Sequence, residues 1–431
     1  MYLQLLEKIN SRKAVIGIIG LGYVGLPLAV ELAKKGFSVV GLEVDSKKVD
    51  SIKKCKSYIG DIESDDISKL VKSNKLTATG DFKAISKVDV VIICVPTPLR
   101  KSKDPDVSYI VSATEKIKAN LKKGHLVILE STTYPGTTKE LVLPMLESTG
   151  MKSCEDFFLA FSPERIDPSN KKFTIVNTTK VVGGLCEKCT NLASAVYSSF
   201  TTVYKVSSTE AAEMVKLLEN TFRAVNIGLV NEVALMCDKL NLNVWEVIDA
   251  SATKPFGFMK FTPGPGIGGH CIPLDPHYLS WKLKTLNFYS RFIELAGEMN
   301  SKMPEYVITK LSDALNNKTK SIKNSKILVL GVAYKKDVAD LRESPALDVI
   351  SLLIKKMAKI SYFDPYIEKF SIGNNDFKSE KNISNISKYD AVLILTDHTN
   401  INYLDVVKKA KLVFDTRNAT KSLKSQKIIR L

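Results

Sequence analysis

The sequence predicts an α/β protein in which two doubly wound parallel-sheet domains are joined by a long central helix and a small helical domain. Three observations carry that reading. Short apolar runs alternate with helical patterns from Lys13 to about Lys205, a purely helical repeat fills Ser208 to about Leu240, and a second alternation begins at Lys326. At 431 residues the chain also exceeds what one core of ordinary size organises.

The first strand, Ala14-Val15-Ile16-Gly17-Ile18-Ile19, runs into Gly20-Leu21-Gly22-Tyr23-Val24-Gly25 and then into a helical pattern. In this order Gly20 permits the tight turn, Gly22 lets the backbone meet a pyrophosphate and Gly25 allows close helix–strand packing. The helix N-terminus, with Tyr23 and Val24 beside it, is left aimed at the phosphates. A second strand, Ser38-Val39-Val40-Gly41-Leu42, ends at Glu43, eighteen residues after Gly25. An acid there accepts hydrogen bonds from an adenosine ribose diol and repels a ribose phosphate, so residues 12–205 are expected to form a Rossmann-like domain for NAD rather than NADP. Strands Val88–Val95 and Leu126–Glu130 run into Pro96-Thr97-Pro98 and Ser131-Thr132-Thr133. Carboxyl ends of strands border the ligand crevice in such sheets, which makes Pro96, Thr97, Ser131 and Thr132 candidates for the cofactor.

Residues 206–315 read as the helical domain, with Ala211, Val215, Leu218, Phe222, Val225, Leu229 and Val233 at helical spacing. It carries the turn Pro263-Gly264-Pro265-Gly266-Ile267-Gly268-Gly269-His270-Cys271, with Asp275 four residues beyond the thiol. Glycines and prolines there give a backbone path free of side chains, so a bulky substrate can reach the sulfur. A buried cysteine beside an ordinary turn is the competing reading of the turn alone. After a Lys/Asn/Ser-rich connector, residues 322–431 form a second Rossmann-like domain with strands at Lys326–Gly331, Ile360–Asp364 and Ala391–Leu395. The first of these ends in Gly331-Val332-Ala333-Tyr334-Lys335-Lys336-Asp337, without three-glycine spacing.

Composition narrows the function classes. The net charge is +16, but the lysines are spread and no basic block is interleaved with aromatics, which argues against nucleic acid and for anionic, phosphate-bearing small molecules. Seven scattered cysteines fit free thiols in a reducing compartment. Cys186 and Cys189 form one C-x-x-C, but a zinc site needs two more ligands and none lies nearby in the sequence, so no metal is expected. No signal peptide and no run long enough to cross a bilayer is present, so a soluble, cytoplasmic protein with no membrane contact is expected.

A nicotinamide cofactor together with a cysteine implies oxidation through a thiol adduct: an aldehyde adds to sulfur, the adduct releases hydride, and the resulting thioester is hydrolysed. The thiol needs a cation to favour thiolate and hold the oxyanion, and Lys216 on the long helix is the candidate, with Asn220 one turn on. A solvated helix edge is the bland alternative for that pair.

From end to end the chain resembles the UDP-glucose/GDP-mannose dehydrogenase family. The matching pieces are Gly20-Leu21-Gly22-Tyr23-Val24-Gly25-Leu26-Pro27, Cys94-Val95-Pro96-Thr97-Pro98, Glu130-Ser131-Thr132, Ser162-Pro163-Glu164-Arg165, the helix segment Ala211 to Asn220, Gly268-Gly269-His270-Cys271, and Gly331 to Asp337 with Arg342-Glu343-Ser344. The resemblance implies oxidation of a UDP-sugar at carbon six by two NAD, with Cys271 as nucleophile, Lys216 as oxyanion-stabilising cation and Asn220 assisting. It further implies Asp275 positioning water or relaying protons, Glu164 as general base of thioester hydrolysis and Thr132 holding that water. Lys335 is similar to a UDP-sugar contact, Arg342 to one that reaches NAD, and Arg417 to one that holds the nucleotide. It also implies a homodimer or higher homo-oligomer formed through the long helix.

Arg165-Ile166 after Pro163-Glu164, Lys254-Pro255-Phe256-Gly257-Phe258 and the Pro-Gly-Pro-Gly turn resemble the branch acting on UDP-N-acetylhexosamines, with UDP-N-acetylglucosamine first and UDP-N-acetylmannosamine or UDP-glucose as alternatives. Arg165, Arg223 or His270 would meet the acetamide, beside Gly268. A one-step alcohol dehydrogenase and a catalytically silent nucleotide-sugar-binding protein are the competing classes; the joint presence of Cys271, Lys216, Glu164 and Asp275 disfavours the second.

Overall fold

The computed structural model describes residues 1–60, 62–98, 104–165, 172–269 and 272–431. They divide into two compact units, the first Met1–Glu219 with His277–Asn287 and the second Asn220–Pro276 with Phe288–Leu431.

The sheet of the first unit contains β1 (Val15–Ile19), β2 (Ser38–Leu42), β3 (Leu76–Thr79), β4 (Val90–Ile93), β5 (Leu126–Leu129), β6 (Phe158–Phe161), β7 (Lys180–Gly184) and β8 (Val203–Lys205). Its spatial order is β3-β2-β1-β4-β5-β6-β7-β8, which begins with the 3-2-1-4-5-6 arrangement of doubly wound dinucleotide folds. Helices cover both faces, so the central strands are continuous apolar runs. Ile16, Ile18, Val90, Ile92, Leu126 and Ile128 pack to one side with Leu28 and Leu32, while Ile19, Val91, Ile93, Val127 and Leu129 pack to the other with Ile110, Ile117 and Leu146. One pairing departs from the expected parallel pattern: β7 runs antiparallel to β6, with Ala160 opposite Gly184 and Phe161 opposite Gly183.

The second unit holds β9 (Lys326–Leu330), β10 (Lys359–Phe363), β11 (Lys369–Ile372), β12 (Asn375–Lys378), β13 (Ala391–Ile394), β14 (Val413–Asp415) and β15 (Ile428–Arg430). Its five-stranded sheet has the order β10-β9-β13-β14-β15 and is parallel throughout, and β11 and β12 form a separate antiparallel pair. The helix expected over Ser208 to about Leu240 runs Thr209–Lys239, and the boundary between the units falls within it. Among the described residues no helix is long and apolar enough to cross a membrane.

His125 shows how tightly the first unit is closed. Its ring is fully buried, with Nε2 3.0 Å from the Val88 carbonyl and Nδ1 accepting from the Lys122 N–H at 3.3 Å. That pattern fits the neutral imidazole carrying its proton on Nε2. Burial first, then the Lys122 charge, push its pKa down to about 4. An unfolded histidine takes up a proton near pH 6.5, whereas the folded one refuses it until about pH 4. Stability is therefore full above pH 6.5 and drains as pH falls through that window, by at most about 3 kcal/mol. Unfolding midpoints measured across this range should fall, and His125→Gln should flatten the slope; identical slopes in both proteins would exclude His125 as the cause.

Candidate active site

In the first unit the glycine loop divides its tasks. Gly20 sits at φ +90°, donates its N–H to the Leu42 carbonyl at 2.8 Å, and has no room for a Cβ against the Cys94 carbonyl. A Cβ on Gly25 would overlap the Gly20 carbonyl. A Cβ on Gly22, by contrast, would meet nothing within 4 Å. The helix Gly25–Lys34 begins there without a side-chain cap, so open space faces backbone donors and the positive end of the helix, which suits a pyrophosphate. Tyr23 stands exposed at the loop's crest and Val24 is half-buried beneath it.

Glu43 lies where an acid was expected, and its carboxylate is already engaged. It accepts from the N–H groups of Leu21 at 2.9 Å, Val44 at 2.9 Å and Asp45 at 3.1 Å, which ties the loop to the end of β2. At the end of β4, Ser131 Oγ accepts from the Val95 N–H at 3.0 Å and lies 2.9 Å from the Val95 carbonyl, fastening the segment after β5 to the one after β4. Thr97 is buried with its carbonyl accepting from the Tyr278 hydroxyl at 2.7 Å, Pro96 is exposed, and Thr132 is half-buried.

Behind these segments lies a buried charge chain that the sequence alone does not reveal. Continuing the β6–β7 register three residues past Phe161 and three before Gly183 sets Glu164 opposite Lys180. The Lys180 ammonium donates to Glu164 at 2.9 Å and to Glu130, and the Tyr197 hydroxyl donates to the other oxygen of Glu130. Burial opposes the charge on Lys180, but the two carboxylates outweigh it and raise its pKa. Burial also pushes the Glu130 carboxyl up to about 7, with Lys180 opposing and Glu164 adding to the rise. Glu164 accepts from the Arg165 N–H at 2.7 Å, and its own carbonyl accepts from the buried Lys216 ammonium at 2.6 Å. Glu213, one turn before Lys216, accepts from the N–H groups of Gly136 at 2.6 Å and Thr138 at 2.9 Å, which anchors the loop after β5 to the long helix. Burial pushes its carboxyl up to about 7 despite those donors.

Arg165 is committed within this unit, its guanidinium paired with Glu219 at 2.6 Å and donating to the Thr179 carbonyl at 2.6 Å. The structure thus brings Lys216, Glu164 and Arg165 together.

In the second unit the Asn220 amide donates to the Asp275 carboxylate, and both groups are buried. Asp275 opens the helix Asp275–Thr285. The glycine turn ahead of it is shaped by steric contact. Gly264 lies against the Arg417 guanidinium, Gly268 against Tyr334 and Pro345, and Gly269, at φ +98°, against the Tyr334 ring while its N–H donates to the Arg342 carbonyl at 3.1 Å. Arg417 donates from Nε to the Leu395 carbonyl at 2.8 Å, so one edge of its fork is fixed. Arg342 pairs with Asp340 at 2.7 Å, Lys335 is half-buried, and Arg223 is exposed on the long helix. His270 and Cys271 lie outside the described residues.

The chain is similar to known proteins along its length. Three models of the UDP-glucose/GDP-mannose dehydrogenase family match, the NAD binding domain over residues 14–201, the central domain over 210–302 and the UDP binding domain over 328–422. The chain is 33% identical over 405 residues to a UDP-N-acetyl-D-glucosamine 6-dehydrogenase of Pseudomonas aeruginosa, covering 92% of this chain and 93% of the relative. It is 36% identical over 419 residues to a UDP-N-acetyl-D-mannosamine dehydrogenase of Methanococcus maripaludis, covering 94% and 92%. The solved structure of a UDP-D-ManNAc dehydrogenase from Pyrococcus horikoshii superposes with a TM-score of 0.87 at 34% identity, covering 96% of this chain and 98% of that one. With three consecutive domain models and a full-length fold match, the chain belongs to the UDP-glucose/GDP-mannose dehydrogenase family, whose NAD-binding domain carries the glycine loop described above.

Proposed function

We propose that the protein oxidises carbon six of a UDP-N-acetylhexosamine, UDP-N-acetylglucosamine foremost, from alcohol to carboxylate through a thioester on Cys271. The observation that carries this reading is the buried Lys216 ammonium bonded to the backbone of Glu164 at the carboxyl end of the first sheet, a cation and a base fixed side by side. The spacious backbone at Gly22 and the uncapped helix behind it fit a dinucleotide. NAD, when bound, supplies the hydride acceptor.

The chemistry balances over two oxidations. The alcohol loses a proton and a hydride to give the aldehyde, the Cys271 thiolate adds to it, and Lys216 with Asn220 holds the oxyanion. Loss of a second hydride leaves the thioester. Water then adds, the thiolate departs, and the uronic acid forms, so each sugar consumes one water and two NAD. Glu164 takes the proton from that water, held by Thr132, and Asp275, oriented by the Asn220 amide, relays protons at the adduct. Lys335 and Arg417 bind the UDP moiety, Arg417 with the half of its guanidinium not used on Leu395, and Arg342 reaches the cofactor. Because Arg165 is engaged by Glu219 and Thr179, its task in this reading is to fix the Glu164 loop, and Arg223 and His270 are the acetamide contacts.

The sugar is tested with purified protein and NAD on a panel. UDP-N-acetylglucosamine should be turned over faster than UDP-N-acetylmannosamine or UDP-glucose, with two NADH per sugar; the reverse ranking reassigns the substrate, and one NADH per sugar removes the second oxidation. Cys271→Ser should abolish the second hydride transfer while UDP binding by calorimetry stays within a few-fold of wild type. Turnover to the acid by that variant rules out the thioester. Lys180→Met leaves Glu130 and Glu164 buried without a counter-charge and should cost about 3–5 kcal/mol in denaturant unfolding at pH 7, with part of the loss restored by adding Glu130→Gln. A loss under about 1 kcal/mol would mean the chain carries no such charge coupling.

A further inference from the structure

The sequence offers only Cys186 and Cys189 as a thiol pair; the fold adds a third. Cys154 lies in the connection before β6 at φ +65°, and its Sγ is 3.6 Å from that of Cys189. Cys186 is the N-cap residue of the helix Glu187–Tyr197, directly after β7, and its Sγ is 3.3 Å from that of Cys189. All three sulfurs lie within 4.8 Å of one another.

We propose that Cys154, Cys186 and Cys189 form a binding site for one thiophilic cation of the zinc class, apart from the oxidation chemistry. Four arguments support it. A tetrahedral ion with metal–sulfur bonds of about 2.3 Å needs sulfurs roughly 3.8 Å apart, close to the spacing found. Cys189 is fully buried and accepts from the Leu159 N–H at 3.4 Å, the kind of outer-shell donor that orients a thiolate. Cys154 and Cys186 are half-exposed, which leaves an entry path from solvent. Cys186 caps the N-terminus of an eleven-residue helix, whose positive end attracts the negative charge of a metal-bound thiolate. No fourth His, Cys, Asp or Glu joins the cluster among the described residues, so the remaining position falls to water or a small anion. Binding releases the thiol protons to solvent and clamps the connection before β6 to the helix after β7, across the one antiparallel pairing of the sheet.

The experiment uses full-length Cys271→Ser protein, so that the proposed nucleophile contributes no sulfur, reduced and stripped with a chelator. Titration with Co²⁺ should give a near-ultraviolet thiolate-to-cobalt band and the visible bands of a tetrahedral ion, saturating at one ion per chain and displaced by Zn²⁺. Loss of an outer-shell partner alone costs metal affinity about 10- to 100-fold, and Cys154→Ser or Cys186→Ser should exceed that. Both positions are half-exposed, and circular dichroism of the variants confirms that they fold. Absence of the thiolate band in the parent protein, or its persistence unchanged in both variants, overturns the proposal.

Discussion

One reversed strand places the buried charges of the first unit. In an all-parallel sheet the first residue of β7 would lie at the amino edge, away from the crevice; because β7 runs against β6, that residue, Lys180, arrives at the carboxyl edge instead, opposite Glu164. Two carboxylates and one ammonium are thereby buried together, an arrangement that is costly to desolvate and tolerable only because each charge is answered. Glu164 is held by Lys180 through its side chain and by its own neighbour's N–H, and its carbonyl in turn holds Lys216. The base and the cation proposed for the reaction are consequently fixed by a topological feature and not by their own local sequence.

The sequence made much of this legible. The glycine loop, β1, β2, β4, β5 and the long helix are read directly because their patterns are local: three glycines at fixed spacing, apolar runs bounded by turns, and a 3.6-residue repeat. The three-residue strands β8, β14 and β15, and β3 with two threonines among its four residues, give weaker signals than the wholly apolar four-residue runs of β4 and β5. The Glu130–Lys180–Tyr197 chain was hidden for a different reason. Its members are separated by 50 and 67 residues from Glu130, and nothing near Lys180 distinguishes it from the many surface lysines of this basic chain. Glu130 alone carried a signal, as the acid at the end of a buried strand. Cys154 was likewise separated from Cys189 by 35 residues, so the third sulfur depends on the packing of two connections.

The second unit is not a vestigial copy of the first. Its sheet lacks the three-glycine spacing, but Gly331, directly after β9 at φ +79°, packs against Thr396 much as Gly20, directly after β1 at φ +90°, packs against Cys94. Its side chains serve the Pro-Gly-Pro-Gly turn: Arg417 presses on Gly264, and Tyr334 and Pro345 mould Gly268. Of these, Arg417 also reads as a nucleotide contact in the sequence, so one side chain both shapes this turn and is proposed for the ligand. Glycine is needed there for space against neighbouring side chains.

The glycine loop holds a record of what maintains each position. Residues 20 and 25 are kept as glycine by the protein's own carbonyls, whatever it binds, while residue 22 has empty space beside it. A descendant that abandoned its dinucleotide would lose the constraint at position 22 first and could drift there to alanine or serine without disturbing its sheet. The identity of that single residue in any offspring of this lineage is thus a readable mark of whether redox chemistry was retained.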